Sequence, residues 1–107
     1  MPRRGEIWWA RLDPSVGSES KTRPCVIISS TVTNERRRTV VVIPLSSSAR
    51  AAPPLTVRVR CGGKKVVAVI DQVRAISKER LTRLIEDLPI DQLEAIEAGL
   101  REILELD

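Results

Sequence analysis

The chain of 107 residues contains no histidine, no tyrosine and no phenylalanine. Its aromatics are Trp8 and Trp9 alone, and its cysteines are Cys25 and Cys61. Without histidine, the commonest acid–base catalyst is missing and a zinc site would need uncommon ligands. The cysteines stand 36 positions apart and fit no CxxC or zinc spacing. Each is expected to be a small apolar core residue in a reducing cytoplasm. Two tryptophans cannot build the aromatic platform of an RRM-like RNA binder. No run approaches the ~20 apolar residues of a membrane span. The opening MPRRGEIWW is basic but enters a short strand-like run, not the apolar core of a signal peptide.

What is present is a globular composition, 42% hydrophobic and 30% charged, of a size expected for one domain spanning residues 1–107. The formal charge of +4 conceals a division. Residues 1–83 hold 17 Lys/Arg against 6 Asp/Glu, a net of +11, while residues 84–107 hold one against 8, a net of −7. A basic body with an acidic last element points to a polyanion partner for the body. The alternative is a solvated surface whose acidic tail offsets the body's self-repulsion.

Short strands separated by turn signals dominate the first three-quarters. In GEIWWARL (5–12), Trp8, Ala10 and Leu12 fall on one face and Ile7, Trp9 and Arg11 on the other. DPSVGSESKT (13–22) reads as a loop, PCVIISS (24–30) as a strand and TVTNERRR (31–38) as a polar loop or helical turn. In TVVVIPL (39–45), a run of consecutive β-branched residues favours a strand buried on both sides. LTVRVRC and KVVAVID flank Gly62–Gly63–Lys64 as a hairpin, with Arg58 and Arg60 opposite in direction to Val57 and Val59. QVRAI (72–76) continues as a strand, and SKERL (77–81) is a short helix capped by Ser77. From Pro89, the apolar positions Leu93, Ile96, Leu100, Ile103 and Leu104 make a helical stripe interrupted by Gly99. The expectation is a mainly β, small barrel with a C-terminal helix packed on it.

The stretch GSESKTRPCVII (17–28) carries the first candidate for chemistry. Pro24 disfavours the helical conformation at Arg23 and holds it extended. Proline also lacks a donor, which suits the first residue of a strand. Arg23 is thereby aimed from a rigid rim, and its planar, permanently charged fork matches a phosphate. A rim arginine paired with Glu19, four residues earlier, is the competing structural explanation.

RGEIW (4–8), LDPSVGSESKTRPCVII (12–28), VVVIPLSS (40–47) and VIDQVRAISKERL (69–81) occur in this order and resemble the MazF/PemK-type toxin endoribonucleases of toxin–antitoxin operons. The resemblance spans nearly the whole chain. It implies an SH3-like (CcdB/MazF-type) barrel, a homodimer, metal-independent cleavage of single-stranded RNA without cofactor, and inhibition by a MazE-like antitoxin with an acidic segment. Arg23 matches the family's catalytic arginine and Glu19 its loop glutamate. Ser46 stands where the family usually has threonine, which keeps the hydroxyl and loses a methyl. Asp71, Gln72 and Arg74 match the segment that supports the dimer and the RNA groove in relatives.

Cleavage through the neighbouring 2′-hydroxyl requires a proton acceptor, a stabiliser of charge on phosphorus and a proton for the leaving 5′-oxygen. Arginine rarely gives up its proton, so Arg23 is assigned as charge stabiliser or proton donor rather than base, and Ser46 as a hydrogen-bond partner of the phosphate. Glu19 is assigned as base or as orienter of Arg23. Ser47, Arg36, Arg37, Arg58, Arg60, Gln72 and Arg74 are the expected RNA contacts, although an arginine run is equally a solvated loop. Trp9 could stack a base or pack in the core. Two rival readings are a CcdB-like gyrase poison and a non-catalytic nucleic-acid-binding barrel. The first acts through a C-terminal tryptophan-containing tip, whereas this chain ends REILELD.

Overall fold

The computed structural model describes residues 1–13 and 21–107. Their elements are β1 (Glu6–Asp13), β2 (Lys21–Ile27), α1 (Thr31–Arg36), β3 (Thr39–Ser46), β4 (Thr56–Cys61), β5 (Lys64–Val69), β6 (Arg74–Ser77), β7 (Leu81–Asp87) and α2 (Ile90–Leu104). The strands pair antiparallel in the order β4-β5-β3-β2-β1-β7. β6 adds to β3 beside β5, also antiparallel. One edge of β3 is therefore divided: Thr39–Val42 faces β6, and Leu45–Ser46 faces β5. β4 and β7 are not paired to each other, so the expected barrel is an incompletely closed one.

β3 shows why its apolar run is continuous. Val40 and Val42 enter one core with Ala10, Leu12, Cys25, Ile27 and Ile76. Ile43 and Leu45 enter the other, with Ile7, Val26, Val59, Ala68, Ile70, Leu88, Leu93 and Ile96. A strand buried on both faces has no place for the polar half of an alternating pattern. α2 covers the second core with the expected stripe, burying Leu93 and Ile96 completely or nearly so. Gly99 permits that approach: a Cβ there would lie 2.6 Å from Ile70 Cδ1 and 3.1 Å from the Pro54 carbonyl oxygen.

The β4–β5 hairpin turns on Gly62 and Gly63, both at positive φ (61° and 76°), as its two-residue connection requires. The expected strand over 72–76 is instead interrupted: Ile70–Gln72 forms a 3₁₀ turn, and β6 begins at Arg74. SKERL contains a 3₁₀ turn, Lys78–Arg80, with Ser77 Oγ accepting from the Glu79 amide at 3.3 Å. Pro24 is not the first residue of its strand but lies within β2, opposite Trp9. β2 pairs with β3 only from Cys25 onward, so the missing donor falls where that edge has no ladder. β7 has no counterpart in the sequence reading. Its residues are mostly exposed, and pairing with β1 defines it more than any apolar pattern.

Candidate active site

Opposed residues in an antiparallel ladder share a face of the sheet. Ala10 opposes Arg23, and Cys25 opposes Pro44. Continued two residues past its last pair, the β2–β3 register sets Arg23 across from Ser46, on the face that carries the smaller core. Arg74 opposes Val42 and so shares that face. Here the face opens into a cleft of about 720 Å³, with Arg23, Ser46, Ser48, Gln72 and Arg74 among its polar lining and Leu12 and Pro44 in its apolar floor.

The Arg23 side chain is exposed and forms no ion pair with any described residue. Beneath it lies the fully buried Cys25. Burial pushes this thiol up to about 12, against the opposing pull of the Arg74 and Arg23 guanidiniums. Both cations therefore act on the same buried floor. A thiol so placed stays protonated and is no nucleophile.

Ser46 has a fixed polarity. Its Oγ accepts from the backbone amides of Ser48 (3.2 Å) and Ala49 (3.1 Å). A hydroxyl has two acceptor positions and one proton to give. With both lone pairs committed to the loop, the Ser46 proton goes either to Ser48 Oγ, 3.4 Å away, or to a ligand. It is thus excluded as a proton acceptor, and its oxygen anchors the segment leaving β3.

The remaining expected residues divide. Gln72 and Arg74 join the cleft, whereas Asp71 is exposed on the 3₁₀ turn outside its lining. Ser47 and Arg58 line a second depression of about 430 Å³. Arg60 lies outside both depressions, and its backbone amide donates to Gln92 Oε1 at the start of α2. Arg36 and Arg37 are not brought to the cleft. They precede β3, whereas the cleft lies at its far end, roughly 20 Å away at ~3.3 Å per residue. Trp8 packs against the smaller core, with Nε1 donating to Glu6 Oε1 at 3.1 Å, and Trp9 is half-buried. Glu19 lies outside the described residues. Ser48 escaped sequence reasoning, although its parity with Ser46 along the chain was the available signal. Among the described residues, no group of three or more Cys, Asp or Glu is placed to hold a metal ion.

A family model for the PemK-like, MazF-like toxin of type II toxin–antitoxin systems matches residues 3–104. The chain belongs to that family. It is 34% identical over 116 residues to Endoribonuclease MazF9 of Mycobacterium tuberculosis, covering 99% of this chain and 98% of that protein. Endoribonuclease EndoA of Bacillus subtilis is 29% identical over 106 residues, covering 92% and 90%. Among solved structures, the Mycobacterium tuberculosis toxin MazF-mt6 superposes with a TM-score of 0.79 at 25% identity, covering 95% of this chain and 98% of that one. A mycobacterial endoribonuclease in complex with its cognate antitoxin shares the fold, with a TM-score of 0.82 at 19% identity over 100% and 98% of the two chains. The mostly β architecture with its C-terminal helix is a MazF-like fold.

Proposed function

We propose that this protein is the toxin of a type II toxin–antitoxin pair and a sequence-specific endoribonuclease that cuts single-stranded RNA. The observation that carries the reading is the placement of Arg23 across from Ser46 in one open cleft of a PemK/MazF-family chain. RNA supplies its own nucleophile. The 2′-oxygen attacks phosphorus as its proton passes to a base, the bond from phosphorus to the 5′-oxygen breaks, and that oxygen takes up a proton. The products are a 2′,3′-cyclic phosphate and a 5′-hydroxyl. Arg23 stabilises the charge gathering on the phosphorane oxygens, and Ser46 donates its one proton to a phosphate oxygen. Glu19 serves as base or as orienter of Arg23. Gln72 and Arg74 hold the strand in the cleft. The step draws on no metal or cofactor.

The same reading makes residues 1–107 one toxin domain acting in the cytoplasm. No helix among the described residues is long and apolar enough to cross a membrane. Two copies assemble with part of the 69–81 segment at their interface, where Asp71 stands exposed outside the cleft lining. A MazE-like antitoxin covers the basic surface with an acidic segment.

Purified protein incubated with labelled single-stranded RNA in EDTA should yield discrete fragments ending in a cyclic phosphate. A 2′-deoxy substitution at the scissile nucleotide should block them. Arg23→Ala, with its melting curve matched to the parent, should cut at least ~10²-fold more slowly, the scale for losing one preorganised donor. Arg23→Lys should restore little, since an ammonium lacks the planar fork. Cutting of the deoxy substrate, strict dependence on added magnesium, or near-parental cutting by Arg23→Ala would refute this mechanism.

A further inference from the structure

We propose that the RNA strand does not end at the cleft but crosses the sheet to the β4–β5 hairpin, where Arg50, Arg58 and Lys65 bind a second phosphate. This rests on the RNA-cleaving reading above and extends it to the length of substrate held by one protomer. The register draws the path. Ser46 opposes Val67, and Val67 opposes Arg58. With Arg23 across from Ser46, four residues on four adjacent strands form one row on one face: Arg23, Ser46, Val67, Arg58. At ~4.8 Å per strand, the row places Arg58 roughly 14 Å from Arg23 along the backbone.

The far end of that row is a built concavity. Arg50 comes from the loop after β3, Arg58 from β4 and Lys65 from β5, around Val67. No acidic residue lines it. Arg60, two residues beyond Arg58, directly opposes Lys65, and like charges so placed repel. A bound phosphodiester relieves that repulsion, and Val67, on the face of Arg58 and Lys65, offers an apolar patch to a base or ribose. Ala49 lines both depressions. Its amide is one of the two held by Ser46 Oγ, so the hydroxyl in the cleft also shapes the bridge between the two sites. Cations around an apolar patch suit a nucleotide better than an acidic peptide, which needs charge alone.

The test uses two RNA oligonucleotides centred on a site the parent cuts, each made uncleavable by a 2′-deoxy scissile nucleotide. One of about ten nucleotides reaches the hairpin, and one of about three is confined to the cleft. Affinity is measured against salt for the parent and for Arg58→Ala/Lys65→Ala, whose substituted side chains are both exposed. The double variant should bind the long strand about tenfold more weakly, with the slope of log K against log salt reduced by about 0.7 per lost phosphate contact. The short strand should bind both proteins alike. An unchanged slope on the long strand, beside normal binding by the parent, overturns the second site and leaves the cleavage reading standing. Loss of binding to an acidic peptide with RNA affinity intact also overturns it, and makes the hairpin a protein-docking surface. A parent that neither binds nor cuts RNA removes the function and the second site together.

Discussion

The two faces of the sheet are finished differently. The larger core, around Ile7, Val26, Ile43 and Ile70, is sealed by α2 through Leu93 and Ile96. Against the smaller core, around Ala10, Cys25, Ile27 and Val42, Trp8 and Leu81 are the partly buried apolar residues that pack among the described residues, and it gives way to the cleft between Arg23 and Ser46. Residues 84–107, which include the helix over the first face, hold 8 of the 14 acidic residues, and the chain before them holds 17 of the 18 basic ones. One face thus stores stability, while the other stops short of closure and leaves cations exposed. β3 serves both, because its alternate residues supply the two cores and its last residue is Ser46.

The largest effect should come from the sealed face. Ile96 is fully buried beneath α2, so Ile96→Ala leaves a cavity that the surrounding strands cannot fill, costing about 2–5 kcal/mol. Leu12 is 6% exposed and forms part of the floor of the cleft. Leu12→Ala should lie at or below the low end of that range, because the space it vacates joins a cleft already open to solvent. Urea unfolding of the two variants measures the contrast. Equal losses would show that the cleft face is as closed in solution as the helix face.

Much of this was legible beforehand. The β-branched run at 39–45, the glycine turn at 62–63 and the stripe from Leu93 to Ile103 each carry a local cause, and each formed the expected element. β7 was illegible because its strand character resides in β1, its partner, and its own side chains are mostly exposed. Pro24 misled about the strand's beginning, since the missing ladder that tolerates a proline is on the β3 side, a property of pairing rather than of sequence. In the site, resemblance named Arg23 and Ser46 but not the row that joins them to Arg58. That row exists only once three registers are fixed. Arg36 and Arg37 were charge without position, and charge says nothing of which end of β3 it occupies.

The buried floor of the cleft face offers a second contrast, read through pH. The Cys25 thiol ionises near 9.0 when free and at about 12 in the fold, chiefly because of burial. Between those values the unfolded chain has released a proton that the native protein keeps. The native state therefore has its full advantage below pH 9 and loses it as pH rises toward 12, by at most about 1.4 kcal/mol per unit from this group. Cys61, half-buried beside the other core, is raised first by burial and then by Glu86. Cys25→Ala should flatten the alkaline fall in stability relative to the parent, and Cys61→Ala should flatten it less. An identical alkaline slope in Cys25→Ala would mean that water reaches the floor of the smaller core.

The smallest effect separates the two tasks of Ser46. Its oxygen holds the Ser48 and Ala49 amides, while its proton is left for a ligand or for Ser48 Oγ at 3.4 Å. Ser46→Ala removes both, but the freed amides lie in a solvent-accessible loop where water can replace the oxygen. Stability should fall by less than about 1 kcal/mol, as for losing a capping hydroxyl. Cleavage should fall by about tenfold, the worth of one hydrogen bond to a charged group, and so by less than for Arg23→Ala. Ser46→Thr keeps the oxygen and the proton and restricts the rotamer, so its rate should equal or exceed the parent's. The loop contacts already fix the hydroxyl's position, and the methyl adds only rigidity. A rate for Ser46→Ala as low as that of Arg23→Ala would give the hydroxyl an equal share of charge stabilisation. A loss in Ser46→Thr would show instead that the loop, tied as it is to the hairpin depression through Ala49, has no room for the methyl and that its shape limits the reaction.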